Sequence, residues 1–223
     1  MNNILAIETS SEACSAALSA NGVVYERTEH APRQQSSLIL AMVEAVLDEA
    51  GLDRSELGAV GFGRGPGAFT GVRIATGIAQ GIAYAVDCPA VPVSSLQALA
   101  ASVEGACLVA TDARMGEIYC GIYDAQNQLI GEEHVLKPLD WDLPESGDWV
   151  LVGDGWAAYE ADLMPKVSHL NVQKSGDDFP QARAILDLTI KALARGEGVP
   201  AEQALPVYLR DNVAQKSKKP LIG

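Results

Sequence analysis

The sequence is poor in aromatic side chains. Only 5% of its 223 residues are Phe, Trp or Tyr, although 48% are hydrophobic. A core with few rings has to be built from Ala, Val, Ile and Leu, which is the mixture typical of α/β proteins. The high hydrophobic fraction also excludes intrinsic disorder as a description of the whole chain.

Positive charge is also scarce, and this limits what the protein can bind. The sequence has 16 Lys and Arg against 29 Asp and Glu, a formal net charge of −13. Three of the lysines, Lys216, Lys218 and Lys219, lie in the last eight residues. Neutralising phosphates supplies most of the affinity of proteins for nucleic acids. We therefore expect any contact with RNA to be indirect, through another protein.

Neither the cysteines nor the hydrophobic runs indicate export or membrane insertion. Cys14, Cys88, Cys107 and Cys120 form no CxxC pair, and the opening MNNILAIETS lacks the basic start and apolar run of a signal peptide. No stretch approaches the roughly 20 apolar residues of a membrane span. We expect a cytoplasmic protein with reduced thiols and no membrane contact.

The first half of the sequence predicts three strands followed by alternating helices and strands. Asn21-Gly22 separates two apolar runs and is a pair suited to a tight hairpin. Apolar residues at helical spacing predict helices over 36–50 and 71–86. The strands are predicted over 3–9, 13–20, 23–31, 57–63 and 90–93.

The second half repeats this order. Strands are predicted over 106–112, 117–124, 128–136, 149–152 and 167–172, and helices over 95–102, 156–164 and 181–195. Two similar β-β-β-α-β-α halves indicate an internal duplication. We predict an α/β protein with the duplicated ribonuclease-H-like fold of actin and Hsp70 (ASKHA), its second half reduced. The predicted divisions are 1–103, 104–215 and a flexible basic tail, 216–223.

The helices 36–50 and 71–86 are apolar on more than one side, which favours burial both within the domain and against a neighbour. Each glycine inside a helix costs about 1 kcal/mol relative to alanine, so several of them suggest close approach of another helix. We expect an interface formed by Leu38, Ala41, Met42, Ala45, Arg73, Ala75, Gly77 and Ala79.

Carboxylates end the first strand of each predicted half. Glu8 is followed by Thr9 and Ser10, and Asp112 closes the corresponding strand of the second half. Carboxylates at such strand ends are suited to a Mg²⁺ shell, and the neighbouring hydroxyls and amides to phosphate. The alternative is a pair of structural carboxylates, which is the commoner use. Only the matched positions favour a nucleotide site.

The most distinctive stretch is GRGPGAFTG at 63–71, between a predicted strand and a predicted helix. Amides at a helix N-terminus can hold an anion in this context. The stretch matches neither GxxxxGK[ST], because Val72 stands where a lysine is required, nor GxGxxG. A tight turn that sets the entry of the helix is the simpler interpretation, although Arg64 and Arg73 are able to meet an acidic partner or a phosphate.

Histidines and serines form no recognisable catalytic pattern. His30, His134 and His169 are far apart in the sequence and no HExxH occurs, which gives no basis for a zinc or iron site. There is no GxSxG stretch, and no serine has an identifiable base. The sequence therefore gives little support to a hydrolase.

Several segments together resemble the bacterial TsaB family, also called YeaZ: ILAIETSSEACSAAL, GRGPGAFTGVR, the helix up to GIAYA, DARMGEIY and PVYLR. They span nearly the whole chain, and GRGPGAFTGVR with DARMGEIY is specific to the family. Its members resemble a shortened copy of TsaD, the catalytic subunit that forms N6-threonylcarbamoyladenosine at position 37 of tRNAs that decode codons beginning with A. The resemblance implies the actin-like duplication that the strand pattern also indicates.

The resemblance also shows where this chain departs from TsaD. Where TsaD carries an HxxxH metal motif, the aligned run is Ser95-Leu-Gln-Ala-Leu99, with serine and leucine in place of the histidines. Neither side chain binds a metal as imidazole does. No glycine-rich adenosine-binding segment is evident near the C-terminus. The resemblance therefore implies a non-catalytic subunit that binds no cofactor on its own. It implies that the complex to which this subunit belongs uses ATP and a metal. In this interpretation, the possible nucleotide site at Glu8, Thr9, Ser10 and Asp112 is vestigial.

The resemblance names partners for the two apolar helices. It implies that they form a homodimer in the free protein or a heterodimer with TsaD, which acts together with TsaE. One alternative is a small ATP-dependent phosphotransferase of the same fold that uses Glu8 and Asp112 with Mg²⁺. Another is a peptidase, suggested by an older glycoprotease label of the family, for which the sequence supplies no nucleophile and base.

Overall fold

The computed structural model describes residues 3–210, and its first half is built on a five-stranded sheet. The strands are β1 (Asn3–Glu8), β2 (Ala13–Ala20), β3 (Val23–His30), β4 (Leu57–Gly63) and β5 (Ala90–Val93). They lie in the order β3-β2-β1-β4-β5, with β1 to β3 antiparallel and with β4 and β5 parallel to β1. Asn21 and Gly22 both have positive φ in the β2–β3 turn, as the pair predicts.

The second half contains a sheet of the same topology. Its strands are β6 (Cys107–Arg114), β7 (Glu117–Tyr123), β8 (Leu129–Leu136), β9 (Asp148–Val152) and β10 (Asn171–Lys174). They lie in the order β10-β9-β6-β7-β8, with β6 to β8 antiparallel and with β9 and β10 parallel to β6. The same strand order and directions in both sheets confirm the predicted duplication.

The helices are distributed unequally between the halves. They are α1 (Gln35–Ala50), α2 (Phe69–Ala85), α3 (Ser95–Ala100), α4 (Gly155–Ala158), α5 (Glu160–Leu163) and α6 (Ala182–Ala194). The helices α4 and α5 lie between β9 and β10, the place that α2 takes between β4 and β5, and have 4 residues each against 17 in α2. The place of α1, before the fourth strand, holds only the three-residue 3₁₀ turn Pro138–Asp140, against 16 residues in α1. The second half is therefore reduced, as predicted.

Helices cover both faces of the first sheet. On one face, α1 and α2 bury Ile39, Val46 and Ala79 against Leu5 and Ile7 of β1. On the other face, α6 buries its own apolar stripe against the alternate residues of the same strands. The predicted division placed 182–194 with the second half of the chain, whereas α6 packs on the first sheet. The two halves are thus interlocked through the last helix of the described chain.

Three local predictions need correction. The predicted strand 167–172 begins only at Asn171, because Met164–Val167 forms a 3₁₀ turn with a proline at its start. The predicted helix 156–164 is broken at Tyr159, which has φ −124° and ψ 36°. The apolar stripe of the predicted helix 181–195 includes Ile190 and is expected to face inward, whereas Ile190 is 40% exposed on α6.

The cysteines are packing residues. Cys14, Cys107 and Cys120 are buried, and all four cysteines are free. Burial raises the pKa of Cys14 to about 11 and those of Cys107 and Cys120 to about 12. Within residues 3–210, no helix has both the length and the apolar character needed to cross a membrane.

Candidate partner-binding face and interdomain cleft

The expected interface residues of α1 and α2 divide into an accessible set and a buried set. Ala41, Arg73 and Gly77 are exposed, and Leu38 and Ala45 are half-buried. Met42, Ala75 and Ala79 belong instead to the core of the first half. The prediction was wrong for these three, because their side chains point toward the sheet and cannot reach a partner. Their exposed fractions are 8% for Met42, 0% for Ala75 and 0% for Ala79.

The accessible side of α2 forms a continuous ridge along the helix. We call this the outer ridge, and it consists of Thr70, Arg73, Gly77, Gly81 and Tyr84, all exposed. Apart from the adjacent residues and the backbone of α2 itself, no atom of the described chain lies within 4 Å of the position that a Cβ would take on Gly77 or on Gly81. The space beside both glycines is therefore open to the surface. No contact within residues 3–210 requires a glycine at either position.

Sequence reasoning missed several apolar side chains on this side of the molecule. Tyr84 is 81% exposed, Leu40 is 54% exposed and Phe69 is 56% exposed. Tyr84 lies seven residues after Gly77, so extending the stripe by two helical turns would have found it. Leu205 and Tyr208, 60% and 44% exposed, come from an extended segment without a periodic signal.

That segment, 205–210, runs from α2 to the second half, and we call it the C-terminal strap. The amide of Val207 donates to the carbonyl oxygen of Arg64 at 2.8 Å. At the other end, Arg210 donates to the carbonyl oxygen of Ala113 at 3.1 Å and forms an ion pair with Glu117. The strap therefore ties the entrance of α2 to the β6–β7 hairpin.

The glycine-rich stretch 63–71 packs on the end of β1. A Cβ on Gly63 would clash with the carboxylate of Glu8, and a Cβ on Gly71 would clash with the carbonyl oxygen of Thr9. The amide of Ala68 donates to the carbonyl oxygen of Ser10 at 2.7 Å. The interpretation as a turn that sets the helix entry fits these contacts, because each contact holds the loop on the chain itself.

Glu8 is sealed inside this arrangement. Its side chain is 0% exposed and accepts hydrogen bonds from the amide of Ser10 and from the hydroxyl of Ser95, the latter at 3.0 Å. The hydroxyl of Ser10 in turn donates to that of Ser95 at 2.9 Å. Burial raises the pKa of Glu8, and the hydrogen bonds oppose this shift in part. The carboxylate is a structural anchor for the loop rather than an open ligand.

Asp112 occupies the equivalent end of β6 but has different partners. Its carboxylate accepts hydrogen bonds from Arg114 at 2.9 Å and from the hydroxyl of Tyr159 at 2.9 Å. Its amide donates to Asp154 at 3.0 Å, and burial is the main cause that raises the pKa of Asp154. Gly153 and Gly155 press on Ala110 as the glycine loop of the first half presses on β1. A glycine-containing loop thus packs on the end of β6 as another one packs on the end of β1.

A cleft of about 970 Å³ lies between the two strand ends. Ser10 and Asp112 line it, whereas Glu8 and Thr9 lie behind its wall. The Thr9 hydroxyl donates to the carbonyl oxygen of Gly71 at 2.7 Å. The structure therefore brings only two of the four predicted nucleotide-site residues to the cleft. Across it, Arg114 pairs with Glu12 at 3.1 Å and joins the two halves.

The described residues contain no group of three or more His, Cys, Asp or Glu side chains placed to hold a metal ion. The serine hydroxyls nearest the cleft are bonded to one another and to Glu8, with no histidine among their partners. The arrangement can fix the geometry of a loop and present a surface, and it offers no activated nucleophile.

Comparison with known proteins decides the family. The family model described as TsaD: tRNA N6-adenosine threonylcarbamoyltransferase matches residues 3–218. The TsaB protein of Escherichia coli K12 is 42% identical over 96% of both chains, and that of Haemophilus influenzae is 33% identical over 96% of this chain and 95% of its own. The chain belongs to the TsaB family.

A solved structure of YeaZ from Pseudomonas aeruginosa agrees with this. It is 42% identical, covers 94% of this chain and 100% of its own, and superposes with a TM-score of 0.84. A second Pseudomonas aeruginosa structure with the same values is described as similar to peptidase YeaZ. As a TsaB-family member, the chain takes part in tRNA threonylcarbamoyladenosine biosynthesis.

The run 95–99, which aligns with the HxxxH motif of TsaD, has a structural role in this chain. Ser95 is 2% exposed and bonded to Glu8, and Leu99 is 0% exposed. Leu99 packs with Val109 and Tyr123 of the second sheet. Helix α3 therefore uses these positions to join the two halves.

Proposed function

We propose that this chain is a non-catalytic subunit that binds TsaD through the outer surfaces of α1 and α2. In that complex, with TsaE, it supports formation of N6-threonylcarbamoyladenosine at position 37 of tRNAs that decode codons beginning with A. It stabilises an active arrangement of TsaD and performs no bond-making step itself.

The observation that carries the proposal is the open ridge of α2. Two glycines inside a helix destabilise it by about 1 kcal/mol each relative to alanine. Gly71 has an internal reason, its contact with Thr9, whereas Gly77 and Gly81 have only empty space beside them. Close packing of a helix from another subunit on the ridge explains the two glycines, because small residues let helix backbones approach each other.

The geometry of the strand ends favours this role over the phosphotransferase alternative. Glu8 lies behind the cleft wall, and Asp112 already has Arg114 and Tyr159 as partners. Ligation of Mg²⁺ by both carboxylates would require the glycine loop to move away from Glu8, which is fully buried beneath it.

The remaining assignments follow from the family and stay predictions. ATP and a metal are used by the complex and not by this chain alone. The acidic body contacts tRNA only through TsaD, and the free protein pairs with itself through the same two helices. The compartment is the cytoplasm.

The test combines light scattering with a tRNA modification assay. Ala41 is exposed on α1, and we expect Ala41→Glu to keep the fold, abolish the complex with TsaD and reduce modification to the level without this chain. Ala194→Glu is the matched control, because Ala194 is exposed on α6, on the opposite side of the first sheet. A chain that ignores TsaD but consumes ATP alone, and loses this activity in Glu8→Ala, would overturn the proposal.

A further inference from the structure

Arg73 on the outer ridge lies between two aromatic rings. Its guanidinium carbon is 3.2 Å from the centroid of the Phe69 ring and 4.9 Å from that of Tyr208. The two rings are 5.7 Å apart and tilted by 37°. Both rings are themselves largely exposed, so the cluster stands at the surface where α2 begins and the C-terminal strap passes. Stacking of this kind orients a guanidinium without neutralising its charge.

The charge of Arg73 has no carboxylate partner within residues 3–210, where its own hydrogen bond goes to the carbonyl oxygen of Phe69 at 3.4 Å. Of the nine arginines in residues 3–210, only Arg33 and Arg64 share this lack of an ion pair. Most of the described arginines pair with an Asp or Glu, namely Arg27, Arg54, Arg114, Arg183, Arg195 and Arg210. The sequence of α2 itself contains no acidic residue.

Arginine and aromatic residues are the types that most often dominate the binding energy of an interface. Here they lie one helical turn before Gly77, at one end of the ridge whose other end is Tyr84. From Phe69 to Tyr84 the ridge is about 22 Å long at 1.5 Å per residue. A partner helix lying along the two glycines therefore has its end next to Arg73. An oriented guanidinium beside Gly77, Gly81 and Tyr84 fits a carboxylate, which it can bind through two parallel hydrogen bonds.

We infer that Arg73 is the polar determinant of partner choice, and that the subunit docked on α1 and α2 presents an Asp or Glu carboxylate to it between Phe69 and Tyr208. The inference rests on the proposed function and adds the chemistry that the partner must carry. Gly77 and Gly81 determine how closely a helix can approach, and Arg73 determines which helix is accepted.

The test measures the dissociation constant of the chain with TsaD for the original sequence and for Arg73→Lys, Arg73→Met and Arg73→Glu. We expect Arg73→Glu to weaken the complex by more than about tenfold, because two carboxylates then face each other. Arg73→Met keeps the apolar stem, loses less affinity than Arg73→Glu, and makes the dissociation constant less sensitive to salt. Lys191→Glu, at an exposed position on α6, makes the same change of charge and leaves affinity unchanged.

A charge-swap experiment identifies the facing residue. Each Asp and Glu on the docking helices of TsaD is changed to Lys in turn, and one such variant restores binding to Arg73→Glu. Inorganic phosphate at constant ionic strength is the probe for the other ligand that an arginine accepts, and we expect it to leave the affinity unchanged. Thermal unfolding of each free variant shows that the fold is retained.

The outcomes separate this inference from the proposed function. If the unaltered chain does not bind TsaD, the proposed function fails. If it binds, and Ala41→Glu abolishes binding while Arg73→Glu does not weaken it, only the role of Arg73 is overturned. The same holds if no lysine substitution in TsaD restores binding, or if Arg73 governs self-association of the free chain and not the complex.

Discussion

The glycines of the loop 63–71 and those of the outer ridge lie close together in the chain and serve different purposes. Gly63 and Gly71 are required by contacts within the chain, because any side chain there would enter Glu8 or Thr9. A Cβ on Gly77 or Gly81 would meet no atom outside the nearby part of α2 within the described structure. Glycine is therefore required by packing within the chain at the buried positions, whereas at the exposed positions we assign it to packing against another subunit. The burial of each glycine distinguishes the two cases.

The largest effect is expected at the internal glycines. Gly71→Ala places a methyl group against the backbone of Thr9, and we expect it to lower the free energy of unfolding by about 3 kcal/mol. Chemical denaturation of the free chain measures this. An unfolding midpoint equal to that of the original chain would show that the contact between the loop and β1 is not a constraint.

The ridge glycines are expected to respond in the opposite direction. Gly77→Ala with Gly81→Ala raises the stability of the free chain, measured at a dilution where it is monomeric, by about 1 kcal/mol per site, because alanine is the better helix former. The same pair of substitutions weakens the complex with TsaD by about tenfold, since the helices can no longer approach as closely. Denaturation and titration calorimetry check the two halves of this prediction. A double variant that is more stable and binds as well as before would contradict the role of the ridge.

A smaller effect is expected from the carboxylate beneath the loop. Burial raises the pKa of Glu8 above its ordinary value of 4.5, so the folded state holds this proton more tightly than the unfolded state. The contribution of Glu8 to stability is therefore full below pH 4.5 and declines as the pH rises through the raised pKa. Glu8→Gln cannot ionise and lacks this decline.

Denaturation of Glu8→Gln and the original chain across a pH series measures that difference. We expect the variant to gain stability relative to the original chain as the pH rises from 4.5 toward neutrality. A difference that stays constant with pH would mean that Glu8 is not held in the environment described.

The sequence predicted most strands and their succession along the chain, because hairpins and apolar runs are local signals, as at Asn21-Gly22; the order of the strands within each sheet came from the structure. It did not predict that α6 returns to the first sheet, since nothing in a helical stripe states which sheet it covers. It also did not separate Ala41 from Ala75, because both helices are apolar on more than one side, and small apolar residues on either side are compatible with an interface. The contact of Arg73 with Tyr208 joins residues far apart in the chain and has no sequence signal.

Amide hydrogen exchange of the free chain, diluted until it no longer pairs with itself, and of the chain with excess TsaD tests the central claim most directly. The account predicts slower exchange in peptides from α1 and α2 that contain Ala41, Gly77 and Gly81, with α6 and the second sheet unchanged. A complex that forms while α1 and α2 exchange as in the free chain, with protection at the cleft or on α6, would contradict it.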